Sequence, residues 1–167
     1  MTEFGASVDP SPVIEVANLA DSSFLPWIYW AYANKTPFKI VSPGLPPTPE
    51  QQGVVLDLSK PREGANLNRP ILQALTRPYP VAIAGTPTNI GFDPVKQTFR
   101  LEYRMIGVDS TLRSQETVIV MPTSLYPKGY RVDVSGAKVT SLKGAKFLQL
   151  ISEGEKNKVT VSVSPIQ

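Results

Sequence analysis

Cysteine and histidine are both missing from the 167 residues. Without cysteine there is no disulfide staple, no thiolate zinc ligand and no thiol nucleophile. Without histidine there is no Ser-His-Asp triad and almost no route to a catalytic zinc. Acid/base chemistry therefore falls to carboxylates, lysine or tyrosine. A dominant charge is lacking too: 17 Lys and Arg against 14 Asp and Glu leave a net +3, too small and too scattered to argue for nucleic acid. No apolar run reaches membrane-spanning length, and no charged segment followed by an apolar stretch opens the chain. A soluble polypeptide with no secretion signal of its own is expected, with the natural start left open to lie further upstream.

What is present is apolar material for a core, 41% of the residues, in a length that suits one ordinary domain or two small ones. Proline is abundant and uneven: of 17 in the chain, seven fall between Pro37 and Pro70. The stretch 42–52, SPGLPPTPEQQ, cannot hold a regular helix or a central strand, which predicts a long irregular loop that is either functional or disordered.

Before that loop, residues 2–6 (TEFGA) read as the close of a strand. Residues 9–20 then read as a helix, with Asp9 or Ser11 as N-cap, proline in the first turn, and Val13, Val16, Ala17 and Ala20 on one face. The apolar run 24–32, FLPWIYWAY, predicts a strand buried on both faces, as in parallel sheets. Residues 66–76 predict a second helix, with Leu67, Ile71, Leu72 and Leu75 at helical spacing and Asn66 or Asn68 as cap. Two parallel strands with two helices cannot cover both faces of a sheet, so this part reads as a piece of something larger.

Beyond Pro78 the texture changes to seven short alternating segments at 81–84, 98–104, 116–121, 130–134, 138–141, 147–151 and 158–163, separated by turn clusters at 86–89, 126–129 and 154–157. That spacing predicts an antiparallel sandwich. The boundary is expected near Arg77, where the charge also shifts. Residues 1–77 hold seven acidic and six basic side chains, residues 78–167 seven and eleven.

Glu3-Phe4-Gly5 at a strand end, a helix, then Trp27-Ile28-Tyr29-Trp30-Ala31-Tyr32, then Arg77-Pro78-Tyr79-Pro80, then Tyr126-Pro127-Lys128-Gly129-Tyr130 follow one another in this order. Together they resemble the C-terminal half of glycoside hydrolase family 5, in particular its endoglycoceramidase-like members. The resemblance implies the C-terminal quarter of a (β/α)8 TIM barrel over residues 1–77, followed by an antiparallel β-sandwich over 78–167. It implies that Glu3, at the end of barrel strand seven, holds the place of the catalytic nucleophile. Residues 24–32 would be strand eight, with Trp30 as the floor under the sugar being cleaved, and Tyr32 and Trp27 beside it as substrate-binding residues. Core packing accounts equally well for Trp27 and Tyr29.

Retaining glycosidases need two carboxyl groups, a nucleophile and an acid/base. The family's acid/base glutamate belongs to strand four, and strands one to six are not in this sequence, so the chain alone is expected to be inactive. No metal and no cofactor is implied. The implied partners are a glycolipid or oligosaccharide substrate, an N-terminal barrel portion from the same gene product or a separate chain, and a peripheral membrane contact, in a secreted or cell-surface setting. Residues 33–60 would rim the site. Phe38, Ile40, Val41, Leu45, Val54, Val55 and Leu56 suit a ceramide leaving group, although ordinary packing explains them as well, and Lys35 and Lys39 face an anionic headgroup or simply water. Three readings stay open: the C-terminal part of a retaining endoglycosidase, a subunit completing a split barrel, or a noncatalytic β-sandwich remnant that binds carbohydrate or membrane.

Overall fold

Asp9 and the prolines behind it start the first helix. In the computed structural model, which describes residues 4–5, 9–33, 39–40, 48–49, 53–105, 116–153 and 157–166, strand β1 (Phe4–Gly5) precedes helix α1 (Pro10–Ser22). The Asp9 carboxylate accepts the Ser11 N–H at 2.9 Å, and proline in the first turn leaves no extra donor to satisfy. Val13, Ala17 and Ala20 are buried at helical spacing, with Val16 half-buried beside them. The chain divides into two compact units, Met1–Leu75 and Thr76–Gln167.

Strand β2 (Tyr29–Trp30) pairs with β1 in parallel, Phe4 opposite Tyr29 and Gly5 opposite Trp30. A Cβ at Gly5, whose φ is +154°, would collide with the Trp30 carbonyl oxygen, so only glycine lets the two backbones meet there. The expected strand over 24–32, buried on both faces, does not form. Residues 25–28 have no regular structure, Phe24 takes a positive φ of 55°, and one side of the run faces solvent. Among the described residues the pairing strand is two residues long, which leaves most of the apolar run outside any ladder.

Strands β3 (Lys39–Ile40) and β4 (Thr48–Pro49) pair antiparallel; the rest of the proline-rich stretch 42–52 lies outside the described residues. After a 3-10 turn at Gly64–Asn66 comes helix α2 (Arg69–Leu75), shorter than expected. Its first turn closes when the Leu72 N–H donates to the Asn68 carbonyl at 2.9 Å. Asn66 does not cap it. That side chain instead accepts the Asp57 N–H at 2.9 Å and donates to the carbonyls of Asp57 and Pro61 at 2.8 and 2.9 Å, tying the preceding loop into a knot. Ile71 and Ala74 are buried while Leu72 is exposed, and with Val13 they form a small core against which Phe4, Ile14, Tyr29, Val54 and Leu75 pack.

Among the described residues the second unit has eight strands: β5 (Tyr79–Ala82), β6 (Thr86–Asp93), β7 (Thr98–Arg104), β8 (Glu116–Val120), β9 (Tyr130–Ser135), β10 (Ala137–Val139), β11 (Phe147–Ser152) and β12 (Lys158–Pro165). They form two antiparallel sheets, ordered β10-β11-β8-β5 and β6-β7-β12-β9. One apolar core draws on both sheets, with Ile119, Leu148 and Leu150 from the first and Phe99, Leu101 and Val161 from the second. The antiparallel sandwich expected from the spacing is present. Residues 86–89, expected to be a turn, instead open β6, which pairs with β7 along its length; the register shifts between Pro87 and Asn89, a bulge that accommodates a proline with no ladder donor.

Candidate carbohydrate-binding face

Residues 27–32 divide into half-buried and exposed side chains. Phe4 meets the half-buried Trp27 and Tyr29 edge to face, ring centroids 5.4 and 5.7 Å apart. The Trp27 indole Nε1 donates to the Asp21 carboxylate at 2.9 Å, which fixes this ring to the end of α1. Ile28, Trp30 and Tyr32 are 67%, 53% and 56% exposed. The structure thus leaves Trp30 and Tyr32 open to solvent and packs Trp27 against Phe4.

Backbone hydrogen bonds tie this run to residues 54–55. The Val54 N–H donates to the Ala31 carbonyl at 3.3 Å and the Val55 N–H to the Tyr32 carbonyl at 2.8 Å, and Ala33 bridges Val55 in parallel. The Trp30–Ala31 peptide is cis. Val55 is buried, and Val54 and Leu56 are half-buried.

Arg62 supplies a cation that sequence reasoning missed. Its Cζ lies 5.7 Å from the centroid of the Tyr32 ring, within cation–π range. Thirty positions separate the two residues, and nothing in the local pattern of either announces the other. Close by in sequence, the Asp57 carboxylate accepts the Ser59 hydroxyl at 2.6 Å and the Ser59 N–H at 3.0 Å and pairs with the Lys60 ammonium at 3.2 Å. The Ser59 hydroxyl and N–H, followed by Lys60, hold the Asp57 carboxyl down at about 2. The Ser11 N–H and hydroxyl likewise lower Asp9. Both acids are therefore carboxylates at neutral pH, and neither is tuned to act as a general acid, which needs its pKa raised.

An exposed indole, and an exposed phenol that carries a guanidinium, are groups on which a pyranose can stack, its C–H groups on the rings and its hydroxyls on the polar edges. Glu3, Lys35, Phe38, Val41 and Leu45, and the side chains of Lys39 and Ile40, lie outside the described residues. Among those described, no group of three or more acidic side chains is gathered to hold a metal ion.

Residues 77–163 match the sequence profile of the glycoside hydrolase family 5 C-terminal domain. Endoglycoceramidase I of Rhodococcus hoagii is 28% identical over 98% of the chain, an alignment that takes in 27% of that relative. Endo-glycoceramidase II from Rhodococcus sp. superposes with a TM-score of 0.66 at 23% identity, covering 100% of this chain and 32% of that one. Sterylglucosidase 1 of Cryptococcus neoformans has the same fold over 93% of the chain and 24% of its own, with a TM-score of 0.68 at 16% identity. The chain spans about a quarter to a third of the length of these proteins. Because the matched domain takes up more than half of the sequence and the relatives align along nearly all of it, the chain belongs to glycoside hydrolase family 5, as an endoglycoceramidase-like C-terminal region.

Proposed function

We propose that this chain supplies the closing part of a retaining glycoside hydrolase that cuts the bond between glycan and ceramide in glycolipids. Residues 1–77 are read as the last quarter of its TIM barrel and Glu3 as its nucleophile, with Trp30 and Tyr32 as the sugar platform. The observation that carries the reading is the parallel pairing of Phe4–Gly5 with Tyr29–Trp30, immediately after Glu3 in sequence, in a run where Trp30 and Tyr32 are exposed. Parallel strands followed by helices α1 and α2 are the repeating unit of such a barrel, whose reactions take place at the C-terminal ends of the strands. The names of the relatives favour a glycolipid substrate.

In this reading the Glu3 carboxylate attacks the anomeric carbon. The bond to the ceramide oxygen breaks as that oxygen takes a proton from the acid/base carboxyl, which stands roughly 5 to 5.5 Å away in retaining enzymes. Water then hydrolyses the glycosyl ester, giving its proton back to the same acid/base group. The acid/base comes from an N-terminal barrel portion, continuous with this chain or separate from it, and a secreted or cell-surface setting fits the substrate.

The test mixes the chain with a polypeptide carrying strands one to six of the Rhodococcus hoagii relative and follows a fluorescent ceramide glycoside. Turnover is expected only on mixing, and Glu3→Gln is expected to lower it roughly ten-thousandfold or more. Turnover by the chain alone, or a Glu3→Gln loss of less than about tenfold, overturns the assignment.

A further inference from the structure

The two sheets of the sandwich turn unlike outer surfaces to their surroundings. An antiparallel sheet with one face in water alternates apolar-in and polar-out. The sheet β6-β7-β12-β9 keeps to this: Phe99, Leu101 and Val161 enter the core, and Arg100, Glu102 and Ser162 follow them on the outside. Its strands carry seven charged side chains. Those of β10-β11-β8-β5 carry two, Glu116 and Lys138. Between the core residues Ile119, Leu148 and Leu150 this sheet sets Val118, Val120, Phe147 and Ile151. Its edge strand adds Tyr79 and Val81, and Tyr79, Val81, Phe147 and Ile151 are 51%, 56%, 49% and 44% exposed.

These side chains are ordered by register. Tyr79, Val120 and Phe147 lie in one row across three strands. An exposed apolar residue alone is ordinary, but a contiguous apolar row rimmed by polar residues marks a surface that something covers. At the other end of β11, Ile151 stands between Lys138 of β10 and Glu116 of β8. Neighbouring strands are about 4.8 Å apart, so the base and the acid are roughly 10 Å apart with an exposed isoleucine between them. This row is complementary to itself. A two-fold axis along β11, midway between two stacked sheets, sets Phe147 on Phe147, Ile151 on Ile151 and β8 of each copy on β10 of the other. Glu116 of each copy then meets Lys138 of the other, and both pairs close at once.

We propose that the outer face of β10-β11-β8-β5 binds a second copy of the chain, in an isologous dimer that buries Phe147 and Ile151 and pairs Glu116 with Lys138 twice. One acid and one base leave the strands of this face without net charge, so two copies approach without repulsion from the surfaces that meet, and a polyanion finds no excess of cations there. Four strands and the six residues of β11 span roughly 19 by 20 Å. That is the low end for a specific interface, which makes the dimer a weak one. The contact stands on the second unit alone and does not require the glycosidase reading.

Sedimentation equilibrium of the full chain, from about 1 μM to about 1 mM, tests this. A monomer–dimer equilibrium is expected, with a Kd on the order of 10–100 μM. Phe147→Glu is expected to raise the Kd roughly tenfold or more, and the milder Ile151→Thr, which keeps a β-branched strand former, about fivefold. Glu116→Lys and Lys138→Glu each set like charges against one another, and each is expected to raise the Kd about fivefold. The two together restore opposite charges, and the Kd is expected to return to within about threefold of the parent's. These positions lie outside the core, so circular dichroism of every variant should match the parent. A chain that stays monomeric throughout the range overturns the proposal. So do single charge reversals that leave the Kd unchanged, or a double reversal as weak as the singles. A complex with the strand-one-to-six polypeptide that Phe147→Glu abolishes, in place of self-association, assigns the face to the barrel and overturns it as well. Turnover is not read, so failure of the barrel reconstitution leaves the sedimentation result standing.

Discussion

Gly5 and Trp30 meet where no side chain fits. In Gly5→Ala the new methyl must displace the Trp30 carbonyl oxygen, and overpacking of this kind costs about 1–3 kcal/mol. Both tryptophans of the chain, Trp27 and Trp30, lie beside this contact, so urea unfolding followed by tryptophan fluorescence reads the loss directly; an unchanged midpoint would falsify the close approach. Asp57 gives a second prediction at this scale. Its carboxyl is held at about 2 against an ordinary 3.8, first by the Ser59 hydroxyl. A lowered folded pKa means that the ionised form is favoured by the fold. Its contribution is therefore complete above pH 3.8 and is lost as pH falls through about 2. The Ser59 and Lys60 amide shifts should titrate with a midpoint near that lower value, and Asp57→Asn should remove the titration; a midpoint at 3.8 or above counts against the hydrogen bonds. The difference between Trp27, which packs against Phe4, and the exposed Trp30 was legible in the sequence. The Arg62 guanidinium over Tyr32 was not, since its pairing is decided by how residues 53–66 fold back along the strand.

Among the elements, those governed by local chemistry could be read and those governed by pairing could not. The cap and prolines of α1 act within one turn, and the helix begins where they place it. Strand β6 hid behind Pro87 and Asn89, residues that mark turns in isolation, because its ladder with β7 and the bulge that tolerates the proline are supplied from a distance. The aromatic run misled in the opposite sense: its composition suits a long buried strand, but hydropathy does not count hydrogen-bonding partners. What joins the two sheets of the sandwich beyond apolar contact is a buried polar chain. The Ala84 N–H donates to the Thr117 hydroxyl at 3.0 Å, Thr117 donates to the Tyr103 hydroxyl at 3.0 Å, and Tyr103 shares a 3.1 Å bond with Ser152. Tyr103→Phe strips the link from the middle and leaves buried hydroxyls unsatisfied, a loss of about 1–3 kcal/mol. Thermal unfolding of that variant should show it, and a variant as stable as the parent would mean that the chain of hydroxyls contributes nothing.

At the scale of the whole molecule the two units are unequal. Among the described residues the paired strands of the first are two residues long, whereas those of the second reach eight, and the larger buried core belongs to the second. Short ladders on a small core open at low free energy. In rising urea the tryptophan signal, confined to the first unit, should be lost before the far-ultraviolet circular dichroism of the sandwich; coincident transitions would show a single cooperative body. The sandwich also has an order of assembly written into it. Strand β12 lies between β7 and β9, so a nascent chain has two bare ladder edges facing each other across a gap until residues 158–165 have cleared the ribosome. Any product halted before Lys158 keeps that gap open, exposing paired-strand templates to its neighbours, and such products should be the ones that chaperones and proteases collect.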